Sequence, residues 1–276
     1  MRAARVSATP LRSALVTLAR DARSRVEAAR CLRADAPVVV LTAPKSGSTS
    51  VEAALRRARL PAIKAHFLGP GHAESGARWR ERRLPAPLHH HAEERLLRHL
   101  ASSGRRLRVV TLVRDPVARV VSSAFQAPEL WAEGEEDADA LVAALRRRVE
   151  HRAAGGDPLR WFERDLQPAL GVDLLAEGFD AEGGASRYAA RRADLLVIKT
   201  EALDRHAGTL GAFVGRPLAL GRENVRAEGP RAALYAEVRG RLRLPEATLA
   251  RLYASPWVRL FYTPGEIEAF RARWAA

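Results

Sequence analysis

Three short stretches carry the side chains with the most evident chemistry. The first is Pro44-Lys45-Ser46-Gly47-Ser48-Thr49-Ser50, which directly follows the apolar run Val38 to Leu41. A buried strand that stops at a glycine-containing loop and feeds a helix leaves unpaired N–H groups at the helix start, where the positive end of the dipole also lies. The ammonium of Lys45 and the hydroxyls of Ser46, Ser48, Thr49 and Ser50 add charge and donors, so the segment suits a phosphate or sulfate. It is not a Walker A loop, because that pattern needs its lysine directly after the second glycine, whereas Lys45 precedes Gly47 by two positions. The second stretch is Arg114-Asp115-Pro116, at the end of the strongest apolar run in the chain, Leu107 to Val113. Asp115 is a natural N-cap and Pro116 fits a first helical turn. Ser122 then falls nearly two turns along that helix, where its hydroxyl and the planar fork of Arg114 can meet one anion. Third is His66, near the end of another short apolar segment, as a neutral imidazole suited to proton abstraction. His89, His90, His91 and Glu52 compete with it for that role. An ordinary helix start and a strand-end ion pair are the plain structural alternatives for the two loops.

Positioning these groups requires an α/β frame. Val38 to Leu41, Leu60 to Phe67, Leu107 to Val113 and Leu195 to Ile198 read as strands, the continuous apolar runs being those of a parallel sheet buried on both faces. Helices are expected at Val51 to Ala58, at Ala92 to Ala101, from Val117 onward, over 138 to 170, and through most of the chain after Ile198 to Trp274. Residues 69 to 91 read as irregular because Gly69-Pro70-Gly71 punctuates them, and residues 133 to 139 as a solvated acidic loop. The fold class expected is α/β, a P-loop-type parallel sheet flanked by helices with a largely helical C-terminal part. Residues 1 to 36 read as a helical N-terminal extension, with Leu11, Leu15, Leu18 and Val26 along one face, and 37 to 276 as a single domain.

Composition narrows the function classes. The 276 residues are 47% hydrophobic and can fill a sizeable core. One cysteine, Cys31, excludes an intrachain disulfide framework and a Cys-based zinc site. No apolar run approaches the roughly 20 residues of a membrane span, and no signal-peptide core stands at the N-terminus, so the expectation is a cytoplasmic protein. Eight arginines in the first 36 residues make peripheral contact with an anionic membrane surface an option. Forty-six basic residues against 32 acidic ones give a net charge of +14, which attracts polyanions in general. Nucleic acid is disfavoured because aromatic residues are only 6% of the chain and are not interleaved with a basic patch. No His/Asp/Glu cluster with metal-ligand spacing is evident in the sequence.

The two loops together resemble the sulfotransferases that use 3′-phosphoadenosine 5′-phosphosulfate (PAPS). Their 5′-phosphosulfate loop reads like Pro44 to Ser50, and their 3′-phosphate element pairs an arginine with a serine eight positions later, as Arg114 and Ser122 are spaced. Leu195 to Leu203 is similar to the strand that carries Tyr-Glu-Asp-Leu in that superfamily, and Leu210 to Leu218 to its following Phe-Leu-Gly helix. Trp161 to Leu166, Gly171 to Asp173, Phe179-Asp180 and Leu252 to Ile267 further resemble the bacterial putative capsular polysaccharide synthesis proteins, whose name suggests a glycan acceptor. The resemblance implies that Lys45, Ser46, Gly47, Ser48, Thr49 and Ser50 hold the phosphosulfate, that Arg114 and Ser122 hold the 3′-phosphate, and that Lys45 stabilises the leaving oxygen. PAPS is the implied co-substrate, with a hydroxyl or amine acceptor and no metal. Ser50 and Thr200 depart from the tryptophan and tyrosine that better-studied members have there, and no Arg-Lys-Gly loop stands near the C-terminus. A nucleotide or small-molecule kinase is the nearest enzyme alternative, which would need acidic magnesium ligands at a strand end. A non-catalytic nucleotide-binding or basic nucleic-acid-binding protein is the alternative outside enzymes.

Overall fold

A computed structural model of the chain describes residue 22 and residues 25–81, 88–125, 137–221 and 232–276. Its centre is a five-stranded sheet made of β1 (Val38–Leu41), β2 (Ala62–Ala65), β3 (Leu107–Val113), β4 (Ala185–Ala189) and β5 (Ala193–Lys199), in the order β2-β1-β3-β5-β4. The first four in that order run parallel, and β4 pairs antiparallel with β5 at the edge. β1, β3 and β5 read as continuous apolar runs because both of their faces are covered. Val39, Leu41, Val109, Val113, Leu195 and Val197 enter the larger core. Val38, Val40, Val110, Leu112, Leu196 and Ile198 pack on the opposite side with Val51, Leu55, Leu210 and Phe213. At about 25 cal/mol per Å² of apolar surface, these alternating side chains are the main source of stability.

Around the sheet lie α1 (25–33), α2 (Ser48–Arg57), α3 (Pro70–Glu81), α4 (Leu88–Ser102), α5 (Pro116–Ala124) and α6 (Ala138–Ala154). A π turn over Phe162–Leu166 runs into α7 (Gln167–Leu170), and α8 (Leu174–Glu177) follows. After a 3₁₀ segment over Thr200–His206 come α9 (Ala207–Val214), α10 (Ala232–Arg241), α11 (Glu246–Tyr253), α12 (Pro256–Phe261) and α13 (Pro264–Trp274). α1 joins the larger core through Ala28 and Cys31, and the Cys31 thiol donates to the Val38 carbonyl. The segment containing Leu11, Leu15 and Leu18, and acidic residues 133 to 136, lie outside the described residues; Asp137 caps α6 and Asp139 is in its first turn. Among the described residues no helix is long and apolar enough to cross a membrane.

Several expected boundaries change. β2 is shorter than Leu60 to Phe67, and its ladder with β1 runs from Val38–Ala62 to Leu41–Ala65. α2 begins at Ser48, so Ser48, Thr49 and Ser50 of the anion loop form a helical first turn. Residues 69 to 91 are not irregular: 70–81 and 88–91 are helical. Pro70 occupies a first-turn position, where its missing N–H costs nothing. Gly71 is there because space demands it, since a Cβ would stand 2.5 Å from Phe67 Cδ1 and 2.8 Å from the Asp165 carboxylate. β4 was not expected, because Ala-Ser-Arg-Tyr-Ala has no apolar run; as an edge strand it buries only Tyr188.

Candidate functional site

Because β1 leads first to β2 on one side and then to β3 on the other, strand order reverses between β1 and β3. In open parallel sheets the crevice at such a reversal, beyond the strand C-termini, is where ligands bind. The two stretches singled out from the sequence follow those two strands. Lys45 sits in the left-handed region at φ 75° and Gly47 at φ 89°. A non-glycine residue there costs about 1–2 kcal/mol, and alternating left-handed residues are a geometry that turns successive N–H groups into an anion-binding concavity. Gly47 is also the N-cap of α2, with no side-chain cap and no acidic residue in the first turn. Helices α5, α6 and α13, by contrast, are capped by Asp115, Asp137 and Thr263.

Two side chains clamp this loop from neighbouring strands. Arg114 donates from Nη1 to the Lys45 carbonyl at 3.0 Å, and the Thr200 hydroxyl donates to the Ser46 carbonyl at 2.8 Å. The Thr200 methyl would lie 3.2 Å from a Cβ at position 47, so a side chain there would be crowded as well as strained in φ. Ser46 and Ser48 are buried; Lys45, Thr49 and Ser50 are half-buried at the mouth. Two consecutive carbonyls of the loop, those of Lys45 and Ser46, are therefore fixed by side-chain donors.

Beside Arg114 opens a pocket of about 240 Å³ lined by Ala118, Val121, Thr200, Tyr235, Arg239, Arg273 and Trp274, with Glu201 at its wall. Arg239 and Arg273 thus bring two more guanidinium groups toward Arg114. Ser122 is half-buried on the second turn of α5, next to Val121, but does not line this pocket. A larger groove of about 940 Å³ lies among α11, α12 and α13.

Behind the pocket, buried Asp115 organises the C-terminal helices. Its carboxylate accepts from Val117 N and Ala118 N, from the Tyr253 hydroxyl at 2.6 Å and from Trp274 Nε1 at 3.0 Å. Its own N–H donates to Glu201 Oε1 at 2.9 Å, and the Tyr262 hydroxyl donates to Glu201 Oε2. Burial, then the Asp115 charge, raises the Glu201 carboxyl above its ordinary range. Tyr253, Tyr262 and Trp257 are core residues, at 3%, 1% and 3% exposure, and the two tyrosines also border the groove among α11, α12 and α13.

On the other flank, His66 follows directly after β2. Its Nδ1 is 2.8 Å from the Thr42 carbonyl, which can only accept, so Nδ1 carries the proton and Nε2 the lone pair. Burial, reinforced by the charges of Lys64 and Lys45, lowers this imidazole to about 4. His66 is therefore neutral and electrostatically coupled to Lys45. Its backbone N–H and that of Phe67 donate to Glu93 Oε1, and Glu93 Oε2 meets His72 Nδ1 at 2.9 Å. Burial pushes Glu93 up to about 7. The other basic candidates are engaged elsewhere: Glu52 pairs with Lys64 at 2.5 Å, and His90 and His91 approach Glu94 at 3.7 Å. His89 is on α4, with its side chain outside the described residues.

The order of strands brings His66, Lys45, Arg114 and Thr200 onto one edge in that sequence, across four strand ends spaced about 5 Å apart. Sequence reasoning found the first three; it missed Arg239, Arg273 and Glu93, because arginines are spread throughout the chain and Glu93 has no motif around it. It also missed a convergence of His72, His90 and Glu94, whose donor atoms lie within 4.8 Å of one another. The packing of α3 against α4 makes that cluster, and sequence spacing cannot reveal it. Comparison of the chain with protein families, with curated proteins and with solved structures returns no match.

Proposed function

We propose that this chain is a sulfotransferase that moves the sulfuryl group of PAPS to a hydroxyl or amine of an acceptor. The observation that carries the reading is the bond from Arg114 to the Lys45 carbonyl, which joins two anion-binding loops into one continuous basic edge. A nucleotide with phosphates at both its 5′ and 3′ ends needs two such subsites, and a single-phosphate ligand does not. In this reading the phosphosulfate lies on the first turn of α2, Arg114 meets the 3′-phosphate with Arg239 and Arg273 beside it, and the nucleoside occupies the pocket walled by Thr200, Tyr235 and Trp274. In this reading the two additional arginines supply the charge that an Arg-Lys-Gly loop would otherwise contribute.

Transfer then uses His66 and Lys45 together. The acceptor oxygen or nitrogen forms a bond to sulfur as the bond from sulfur to the phosphate oxygen breaks, and the acceptor proton passes to His66 Nε2. Lys45 neutralises the charge that grows on the departing phosphate oxygen, in line with the attacking atom. An imidazole lowered to about 4 is a weak base in the empty site. The bound donor, being anionic, neutralises Lys45 and so removes one of the charges that depress it. The kinase alternative draws less support, since the acids at the relevant strand ends, Asp115 and Glu201, have their oxygens committed to tyrosine, tryptophan and backbone donors.

Calorimetric titration with 3′-phosphoadenosine 5′-phosphate, beside ADP with magnesium, tests the reading. Selective binding of the bisphosphate, weakened by about 1.5–3 kcal/mol in Arg114→Ala, is the expected result for a hydrogen bond to a charged group. Preference for ADP with magnesium, or binding of neither, would overturn it.

A further inference from the structure

A second group of arginines stands on the acceptor side of this edge and belongs to neither phosphate subsite. Arg119 lies on α5, Arg152 in the last turn of α6, Arg78 in the last turn of α3, and Arg160 in the segment between α6 and the π turn. The segment 157–161 ties the group to the site: Arg119 Nη2 donates to the Pro158 carbonyl at 2.7 Å, and Trp161 Nε1 donates to the His66 carbonyl at 2.6 Å. Arg119 is in turn an electrostatic neighbour of Arg152 and Arg114, and Arg152 of Arg78 and Arg160.

None of these four side chains makes an ion pair among the described residues. The nearby acids are occupied: Asp157 accepts from Leu159 N and the Ser255 hydroxyl, Glu74 pairs with Arg164, and Asp165 accepts from Gly69 N. Arg119 Nε is buried with no hydrogen-bond partner among the described residues. Burial, and then the charge of Arg152, lowers Arg119 to about 10; burial and then Arg78 lower Arg152 as well. The C-terminal dipole ends of α3 and α6 offset part of the repulsion. They do not give the buried Nε an acceptor. Arg119 and Arg152 are half-buried and Arg78 and Arg160 exposed; a partly desolvated cluster of like charges is costly, and its persistence beside the proposed site is what a binding site for an anion requires.

We propose that Arg78, Arg119, Arg152 and Arg160 bind an oxyanion on the acceptor, so that the substrate is an acidic molecule whose carboxylate, sulfate or phosphate sits next to the hydroxyl or amine that reacts. The inference rests on the transferase reading for which side receives the acceptor, but the anion site itself does not. Planar guanidinium groups suit such oxyanions bidentately, and fixing one group of the acceptor near His66 aligns its neighbour for in-line attack.

Thermal unfolding with 3′-phosphoadenosine 5′-phosphate held at saturation isolates this subsite. Glucuronate is the probe and glucose its uncharged twin, at matched ionic strength, in the wild type and in Arg152→Gln and Arg160→Gln, both away from the phosphate loops. We expect glucuronate to bind at least about tenfold more tightly than glucose, the factor set by one charge-assisted bond. Each variant should unfold at a higher temperature than the wild type without ligand, because repulsion is relieved, and should lose the glucuronate increment. Equal response to the two sugars, an increment kept in both variants, or variants that are destabilised would overturn the proposal. If the bisphosphate alone produces no shift while the glucuronate increment stands, the donor assignment fails and the anion site survives.

Discussion

Replacing Asp115 by Asn tests whether the Arg114 loop is held by the C-terminal helices. The carboxylate is 1% exposed, and each oxygen accepts two bonds: Oδ1 from Val117 N and Tyr253 Oη, Oδ2 from Ala118 N and Trp274 Nε1. An asparagine keeps one oxygen. Whichever position becomes the amide, two buried donors lose their acceptor and face an NH₂ group instead. At about 1–3 kcal/mol for each unsatisfied buried donor, Asp115→Asn should cost about 2–6 kcal/mol. That is a large share of a typical 5–15 kcal/mol total. Urea denaturation measures it directly, as a lower midpoint at unchanged slope if the transition stays two-state. Tyr253→Phe removes a single bond to the same carboxylate and should cost about 1.5–3 kcal/mol. If the amide nitrogen takes the Oδ1 position, the double variant should cost less than the two singles combined, because the phenol hydroxyl has already lost its acceptor; if it takes Oδ2, the two costs should add. A loss below about 1 kcal/mol for Asp115→Asn would refute the assignment of this carboxylate as the anchor of α11 and α13.

Gly47→Ala combines a left-handed φ of 89° with a Cβ 3.2 Å from the Thr200 methyl, so it should lose about 1–2 kcal/mol of stability by calorimetry and weaken bisphosphate binding by at least about tenfold. The pH dependence of stability carries two opposed contributions. His66, lowered from 6.5 to about 4, binds its proton less well folded than unfolded, so its contribution is present above about 6.5 and falls by up to about 3 kcal/mol as pH drops to 4. Glu93, raised from 4.5 to about 7, does the reverse: its contribution is present below 4.5 and is lost by a similar amount as pH rises to 7. Between pH 4.5 and 6.5 the two largely cancel. Denaturant titrations across that window should therefore give Glu93→Gln a stability that rises with pH relative to the wild type and His66→Asn one that falls; parallel curves for all three proteins would refute both shifts.

The strands that hold the site could be read from the chain because they are buried on both faces. Val38 to Leu41 is wholly apolar and Leu107 to Val113 is interrupted only by Arg108 and Thr111, and Lys45 and Arg114 follow them closely in the chain. The edge strand around Tyr188 could not be read in this way, since only one of its faces packs and its composition is that of a loop. Likewise Gly71 and Gly76 in α3 look like helix breakers in sequence. Their function is spatial: side chains there would run into Phe67, Asp165 and His90. Propensity records the cost of such glycines and not the tertiary contact that outweighs it.

The same distinction separates the legible half of the site from the other half. Lys45, Arg114 and His66 are local to strand ends, so a one-dimensional reading finds them. Arg239 and Arg273 reach the pocket from helices more than 120 residues after Arg114, and Arg152 meets Arg78 from a helix more than 70 residues away. In a chain with 46 basic residues none of these is distinguishable by type. What distinguishes them is how each charge is compensated in space. Lys199 is as buried as any, at 1% exposure, yet the Glu266 carboxylate and the Ala181 carbonyl satisfy it, so it is structural. Arg119 is left with a buried Nε that no atom of the described residues accepts from. A buried cation that the fold itself neutralises explains its own presence; a half-buried one that keeps the Pro158 carbonyl as an acceptor but has no counter-charge among the described residues is what the proposed oxyanion would complete.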